Sequence, residues 1–251
     1  MLTIQNLNCG YDGEDVIHDV NLSVKAGERL YIAGPNGCGK TTLLKCIAAL
    51  LPYRGEILLD QVSTRRIRKK ELARKIGIMT QISNVYFPYT IAETVALGRY
   101  AHRNGVFAQL TPSDRDYVEE CIERVGLGDL RNRRIDELSG GQLQRVFLAR
   151  LFAQNPEIIL LDEPTNHLDL KYQIELLQYV TSWSAETGKT VIGVLHDLNL
   201  VHEFAGQVVL MSEGKIFSQG TPEQALSGEN LETCYQIDIR GWMKRSLSNW
   251  E

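Results

Sequence analysis

The fold is decided by the stretch Gly34-Pro35-Asn36-Gly37-Cys38-Gly39-Lys40-Thr41. It has the form G-x-x-x-x-G-K-[ST], the phosphate-binding loop also known as the Walker A motif. Glycines allow successive backbone N–H groups to curl around phosphate oxygens, and a helix that starts at the loop directs its positive end towards the same charge. A chance glycine-rich turn would rarely keep lysine and threonine at this spacing. The stretch therefore predicts a nucleotide phosphate site.

The side chains of this loop predict a division of roles. Lys40 is expected to reach the β- and γ-phosphates, and the Thr41 hydroxyl is expected to be a ligand of Mg²⁺. Cys38 lies where a backbone amide does the binding, so we expect no redox role for its thiol. The residues predicted to contact ATP in this stretch are Gly34, Pro35, Asn36, Gly37, Cys38, Gly39, Lys40, Thr41 and Thr42.

The flanking sequence predicts alternating strands and helices. Apolar residues 30–33 form a strand before the loop, and a helix follows with one apolar face, ended by Pro52. That face comprises Leu43, Leu44, Ile47 and Leu51. Residues 1–30 alternate as half-buried strands do, with apolar Leu2, Ile4, Leu7, Val20, Leu22 and Val24. Residues 158–162 and 190–195 are apolar on both faces, which is typical of buried parallel strands.

A second motif follows the first of these buried strands. Ile158-Ile159-Leu160-Leu161-Asp162-Glu163-Pro164 places two acids at the carboxyl end of a strand, where open α/β sheets position their sites. Asp162 suits the Mg²⁺ shell, and Glu163 is placed to orient or deprotonate an attacking water. Acids after strands are common on protein surfaces, but downstream of a complete phosphate loop they predict nucleotide hydrolysis.

A third motif, Leu138-Ser139-Gly140-Gly141-Gln142, lies between the other two. Ser139 is a plausible N-cap, and two glycines leave backbone N–H groups bare at a helix start, which is a second anion-binding terminus. The pentapeptide resembles the signature of the ABC ATPases, and its place in the motif order is the same. The resemblance covers nearly the whole chain. In that family Ser139, Gly140, Gly141 and Gln142 would face the γ-phosphate of ATP held by the other subunit.

Other family elements fall in the expected order. Tyr11 matches the aromatic residue that stacks on adenine, and Gln81 matches the glutamine that senses Mg²⁺ and the permease. The run 166–169, which includes Asp169, resembles the loop that crosses the dimer interface. His196 matches the histidine that contacts the γ-phosphate. An isolated tyrosine or histidine usually has only a structural role, but the order of the motifs favours a functional role for Tyr11 and His196.

The resemblance implies a fold, cofactors and partners. The fold class would be α/β, a P-loop NTPase core with an N-terminal antiparallel β subdomain and an inserted helical subdomain. We predict one domain over 1–251, with a nucleotide-binding core at 1–82 and 156–251 and a helical signature subdomain at 83–155. ATP and Mg²⁺ would be bound by a homodimer on the inner face of a membrane. A polytopic permease would dock beside Gln81 and residues 83–100, and a substrate-binding protein would belong to the same system.

The bulk composition fits a chain of this kind. The 251 residues are 43% hydrophobic and 23% charged, and no apolar run approaches the roughly 20 residues of a spanning helix. We expect no signal peptide, because the start lacks basic and apolar regions. Five cysteines without a CxxC pair indicate a reduced chain. Two basic clusters, at 65–70 and 131–134, are short, and with a net charge of −4 we expect solvated surface and no nucleic-acid partner.

Residues 87–100 bear on the substrate. They resemble the corresponding segment of ATPases that serve importers of iron–siderophore complexes, haem and cobalamin, although their apolar residues also suit a helix core. We expect an iron(III)–siderophore importer, with haem or cobalamin as the alternative. An ABC protein acting on ribosomes or DNA would be expected to carry two cassettes or long coiled coils, which this chain lacks. An accessory ATPase of iron–sulfur cluster assembly remains the alternative from another class.

Overall fold

The computed structural model describes residues 1–80, 88–103 and 109–248. The strands are β1 Leu2–Tyr11, β2 Glu14–Val24, β3 Arg29–Ala33, β4 Arg54–Leu59, β5 Val62–Ser63, β6 Ile76–Met79, β7 Ile158–Asp162, β8 Thr190–Val194, β9 Gln207–Ser212 and β10 Lys215–Gly220. The helices are α1 Lys40–Ile47, α2 Lys69–Lys75, α3 Ile91–Ala96, α4 Pro112–Arg124, α5 Gly140–Gln154, α6 Leu170–Thr187, α7 Leu198–Phe204, α8 Pro222–Ala225, α9 Gly228–Tyr235 and α10 Ile239–Leu247. Short 3₁₀ helices occupy Thr64–Arg66, Leu97–His102, Gly128–Leu130 and Ile135–Glu137. In these ranges, no helix combines the length and apolar character needed to cross a bilayer.

The chain forms two compact units, of which the first comprises Met1–Thr64 and Ile192–Glu251. Its N-terminal part is an antiparallel sheet with strand order β2-β1-β4-β5. The alternation predicted from the sequence is confirmed, because the six alternating residues are all buried. The spacing of three between Ile4 and Leu7 keeps both side chains inside because Asn6 is left-handed (φ 49°) and shifts the register there.

The first unit also contains the strands that lead into the phosphate loop. β3 runs parallel to β9, which pairs in an antiparallel manner with β10. Four of the five β3 residues are buried, as the apolar run predicts. β3 therefore delivers the glycine-rich stretch at its carboxyl end, where a ligand can approach the backbone.

The helix after the loop is shorter than the sequence predicts. α1 ends at Ile47, and Ala49 adopts a left-handed conformation (φ 55°). The Leu50 N–H donates to the Lys45 carbonyl (2.8 Å), and the Leu50 side chain is 58% exposed. The prediction that the apolar helical face extends to Leu51 is therefore wrong. The backbone turns at Ala49, three residues before Pro52, so the proline does not end the helix.

The second unit comprises Arg65–Val191 and contains the helical insert. α5 packs against α3 and α4, and the Phe152 ring of α5 stacks on Trp183 of α6 with centroids 5.0 Å apart. The sequence Thr111-Pro112-Ser113-Asp114 predicts a helix start, with an N-cap, a proline at the first turn and an acid in that turn. The start of α4 confirms it, with the Thr111 hydroxyl accepting from the Asp114 N–H (3.1 Å) and Pro112 at the first helical position. β6 lies parallel to β7, whose five residues are all buried.

Candidate functional site

The phosphate loop wraps around the ammonium group of Lys40. Lys40 Nζ donates to the carbonyls of Gly34 and Pro35, each at 2.8 Å, and the side chain is 5% exposed. The loop carbonyls thus hold a buried cation at the start of α1, where the helix dipole also favours an anion. Asn36 and Gly37 are exposed, while Thr41 is half-buried and Thr42 buried. The arrangement offers backbone N–H groups and one positive charge to a phosphate.

Two glycines in the loop are required by geometry. Gly34 has φ 144°, and a Cβ at this position would lie 2.2 Å from the Met211 carbonyl oxygen. Gly39 has φ 99°, and its Cβ would lie 2.6 Å from Ile17 Cδ1. Neither conformation suits a residue with a side chain. The neighbouring strands therefore fix the path of the loop backbone.

The C-terminal region supports the same loop. Burial raises the pKa of Tyr235 to about 12, although a hydrogen bond with the Gly34 backbone works in the opposite direction. The thiol of Cys38 is buried, and burial raises its pKa despite the nearby Lys40 charge. A thiol in that state is a poor nucleophile. No sequence pattern connects Tyr235 with the loop, because residues beyond 228 carry no motif.

Two further predicted residues belong to the first unit. Tyr11 is the last residue of β1 and is 43% exposed, so its ring is available to a ligand. His196 is exposed and follows β8, whose end is fixed where the Leu195 N–H donates to the Ile32 carbonyl (3.3 Å). The next residue, Asp197, caps α7. The histidine is therefore presented between a buried strand and a helix start.

The acid pair in the second unit is confirmed in its predicted place at the end of β7. Asp162 is 5% exposed, and Glu163 is half-buried with a left-handed backbone (φ 52°). Such a conformation costs about 1 kcal/mol or more for a residue with a side chain, and it concentrates at functional sites. Asn166 Nδ2 donates to Glu163 Oε2, and the Asn166 N–H donates to the Glu163 carbonyl (3.2 Å). Asn166 thus orients the carboxylate, a role that only the folded loop reveals.

The loop from Asn166 to Asp169 is held by the helix that follows it. Gln173 Nε2 donates to the carbonyls of Leu168 (2.9 Å) and Thr165 (3.3 Å). Asp169 caps α6 by accepting from the Tyr172 N–H (3.1 Å). Asp169 and His167 are both exposed. The loop is consequently a fixed turn that exposes His167 and Asp169.

The pentapeptide at 138–142 forms the start of α5. Ser139 Oγ accepts from the Gln142 N–H (3.3 Å), and Gln142 Oε1 accepts from the Ser139 N–H (3.1 Å), which is a complete capping box. The N-cap role predicted for Ser139 is confirmed. Gly140 has open space where a side chain would be, whereas a Cβ on Gly141 would lie 3.1 Å from the Tyr172 ring. The first glycine thus exposes the helix start and the second permits packing against α6.

The predicted residues divide between the two units. Gly34 to Thr42, Tyr11 and His196 belong to the first, and Ser139 to Gln142, Asp162, Glu163 and Asp169 belong to the second. Gln81 and residues 83–87 lie outside the described residues. The first unit can hold a polyphosphate through its loop. The second supplies an oriented carboxylate and a separate exposed helix start.

Comparison with known proteins gives the same family throughout. A family model described as "ABC transporter" matches residues 17–166. The iron(3+)-hydroxamate import ATP-binding protein FhuC of Bacillus subtilis is 34% identical over 94% of this chain and 88% of its own length. The hemin import ATP-binding protein HmuV of Jannaschia sp. is 37% identical over 96% of this chain and 89% of its own length. The uncharacterized ABC transporter ATP-binding protein YvrA of Bacillus subtilis is also 37% identical, but the chain spans only 55% of its length.

A solved structure agrees with the sequence relatives. The cassette MJ0796, a dimer in a post-hydrolysis state bound to ADP and Pi, superposes with a TM-score of 0.77. Its sequence is 32% identical, and the match covers 88% of this chain and 99% of that one. The predicted α/β fold with an antiparallel sheet and a helical insert is therefore confirmed. On its motifs, fold and relatives, this chain is an ATP-binding, ATP-hydrolysing member of the ABC transporter family.

Proposed function

We propose that this chain powers an ABC importer for iron(III)–siderophore complexes, as a homodimer on the cytoplasmic side of the cell membrane. The observation that carries the proposal is the second anion-binding helix start. The capped terminus of α5 leaves Gly140 exposed in a chain that already has a complete phosphate loop. A monomer that binds one nucleotide needs only the helix start at its phosphate loop. In a two-fold dimer, each nucleotide can lie between the phosphate loop of one copy and the α5 start of the other, so both helix starts are used.

The proposed chemistry assigns a role to each group. Lys40 and the loop N–H groups bind the phosphates, and Tyr11 stacks on adenine. Glu163, oriented by Asn166, accepts a proton from the attacking water, and His196 contacts the γ-phosphate. Because the proton leaves the water as its oxygen attacks phosphorus, removing the carboxylate stops hydrolysis and leaves phosphate binding intact.

Magnesium fits the side chains that the motifs supply. Mg²⁺ takes oxygen ligands and is held in nucleotide sites by one or two protein groups together with phosphate oxygens. Thr41 follows the loop lysine and is a half-buried residue, and Asp162 is buried at a strand end. We assign these two groups and Gln81 to the Mg²⁺ shell, where the ion would neutralise charge on the phosphates.

The proposed dimer places each ATP between the phosphate loop of one copy and Ser139, Gly140, Gly141 and Gln142 of the other. Asp169 would approach the partner copy from the exposed loop after β7. The dimeric MJ0796 cassette supports this arrangement by similarity. The division into a core at 1–82 and 156–251 and a helical subdomain at 83–155 is part of the same proposal.

The permease would dock on the second unit around Tyr89 and Tyr100. These side chains are 43% and 61% exposed, and exposed aromatic residues commonly serve as interface anchors. Leu97 between them is 48% exposed. A permease segment seated here would move with the helical insert and so connect hydrolysis to the gate. A substrate-binding protein would deliver the ligand from the other side of the membrane.

The siderophore assignment is supported by FhuC, whose name specifies iron(3+)-hydroxamate import. Haem is the second candidate, because HmuV, named for hemin import, is 37% identical to this chain. The ligand would never touch this subunit, so the substrate has to be tested in the assembled transporter.

Reconstitution tests the function. The subunit, its permease and its binding protein are placed in liposomes with internal ATP, and uptake of ferric siderophores, haem and cobalamin is measured in parallel. We expect ATP-dependent uptake of a ferric siderophore, abolished by Glu163→Gln. Uptake of haem or cobalamin alone would replace the substrate assignment. Co-purification with soluble assembly proteins and no permease would instead support the iron–sulfur scaffold class.

A further inference from the structure

The first basic cluster remains without a role in the proposed chemistry. It comprises Arg65, Arg66, Arg68, Lys69 and Lys70, which precede α2 and enter its first turn, and all five side chains are exposed. Five cations within six residues repel one another, on a chain whose net charge is −4. A run of exposed positive charge of this kind is commonly the binding surface for an anionic partner.

The other basic run provides a direct contrast. Arg131 pairs with Glu119 (3.1 Å), Arg133 with Glu137 (3.6 Å) and Arg134 with Asp136 (2.6 Å). These acids neutralise most of the charge of that run.

In the basic cluster, by comparison, Arg66, Arg68 and Lys69 make no ion pair with an acid in the part of the chain that the structure describes. The two runs are similar in sequence but differ in the charge that they present to a partner. Of the two runs, the basic cluster is the one with cations, Arg66, Arg68 and Lys69, that no acid among the described residues neutralises.

The position of the basic cluster indicates which partner is within reach. Lys70 Nζ donates to the Arg103 carbonyl, and Arg74 Nε of the same helix donates to the Ala101 carbonyl (2.8 Å). These bonds attach α2 to the 3₁₀ helix Leu97–His102, which carries the exposed Tyr100. The basic cluster therefore adjoins the surface to which the proposed function assigns the permease, and hence the membrane.

We propose that the basic cluster binds the anionic lipid headgroups of the membrane beside the permease, an inference that rests on the proposed function for its location. Clusters of about four to eight Lys and Arg residues bind anionic bilayers through summed Coulomb attraction, without a defined pocket. Residues 61–70 contain no aromatic side chain, although single-stranded nucleic acids are held largely by aromatic stacking. The long side chains reach headgroup phosphates, and the attraction decays over a Debye length.

The test uses the isolated full-length subunit and vesicles that lack any permease. Co-sedimentation is measured with phosphatidylcholine vesicles that contain or lack phosphatidylglycerol, at low and high salt. We expect binding only to the anionic vesicles, lost at high salt. The triple variant Arg66→Gln, Arg68→Gln, Lys69→Gln should weaken this binding about a hundredfold, which corresponds to on the order of fivefold for each cation.

The matched control is the triple variant Arg131→Gln, Arg133→Gln, Arg134→Gln, which removes the same charge from the paired run. It should retain most of the vesicle binding. Equal losses of vesicle binding in the two triple variants would show that net charge alone determines the binding. Binding to a single-stranded oligonucleotide in preference to anionic vesicles would indicate a nucleic-acid partner. Either result overturns the proposal.

Capture by the detergent-solubilised permease separates this inference from the proposed function. Permease capture without vesicle binding would overturn the lipid contact alone. Failure of the unmodified subunit to bind its permease would count against the proposed function instead.

Discussion

Substitution of Ser139 can separate its helix-capping role from its proposed role at the nucleotide. The Ser139 hydroxyl accepts one hydrogen bond from the Gln142 N–H, and its backbone N–H is satisfied by the Gln142 side chain. Ser139→Ala removes the first of these bonds. Ser139→Asp keeps an N-cap acceptor and adds a negative charge that the helix dipole favours. The two variants therefore affect stability and function in different ways.

The expected magnitudes follow from this geometry. Loss of the cap in Ser139→Ala should cost about 1 kcal/mol, which lowers Tm by roughly 2–4 °C in a chain of this size. Ser139→Asp should leave Tm within about 2 °C of the parent. Its carboxylate would meet the γ-phosphate of the partner's ATP, and like charges about 4 Å apart repel by on the order of 4 kcal/mol at an effective dielectric constant near 20. Screening lowers that value, so we expect ATPase activity to fall about a hundredfold or more.

Two assays distinguish the capping role of Ser139 from its proposed role at the nucleotide. Thermal unfolding by circular dichroism reports the cap, and steady-state phosphate release at several protein concentrations reports the assembled site. If Ser139→Asp were as stable as the parent and hydrolysed ATP at the parental rate, the hydroxyl would be a helix cap alone. The proposed contact between Ser139 and the nucleotide of a second copy would then be refuted.

Three other substitutions test separate parts of the account. Lys40→Ala should weaken ATP binding by at least tenfold in fluorescent-nucleotide titrations because a phosphate countercharge is lost, and unchanged affinity would contradict the assigned role. Cys38→Ala should keep ATPase activity within about threefold of the parental rate. Native Cys38 should react slowly with iodoacetamide at neutral pH because burial raises the pKa of its thiol, and rapid labelling would contradict the inert role assigned to it. Tyr89→Ala should weaken permease capture and change Tm by less than about 3 °C, because the Tyr89 ring is 43% exposed. The buried control Phe152→Ala should lower Tm by roughly 8 °C or more. A fall of that size in Tyr89→Ala would place the Tyr89 ring in the core.

The sequence predicted the elements whose signals are local. The apolar strand before the loop, the strand ending in Asp162 and the capped helix starts at Thr111 and Ser139 are found where expected. Each rests on periodicity, burial or capping chemistry contained within a few residues. The predicted apolar alternation of β1 is found as well, although the left-handed Asn6 that maintains it was not predicted.

The features that could not be predicted depend on tertiary context. α1 ends early because Ala49 adopts a left-handed conformation, for which alanine gives no signal. Asn166 reaches Glu163 only because the loop folds into a turn, and Gln173 holds that turn from the next helix. Tyr235 lies far in sequence from the phosphate loop whose backbone it contacts. Contacts of this type leave no spacing pattern in a single sequence.

The central claim, that two copies enclose ATP and that Glu163 activates water, is tested most directly by light scattering on the Glu163→Gln protein. Glutamine preserves the size of the side chain but cannot accept the proton, so ATP should remain bound and unhydrolysed. We expect a dimer with ATP and Mg²⁺ and a monomer with ADP, accompanied by phosphate release at least about a hundredfold below the parental rate. The same mass with both nucleotides, or hydrolysis at the parental rate, would contradict the account.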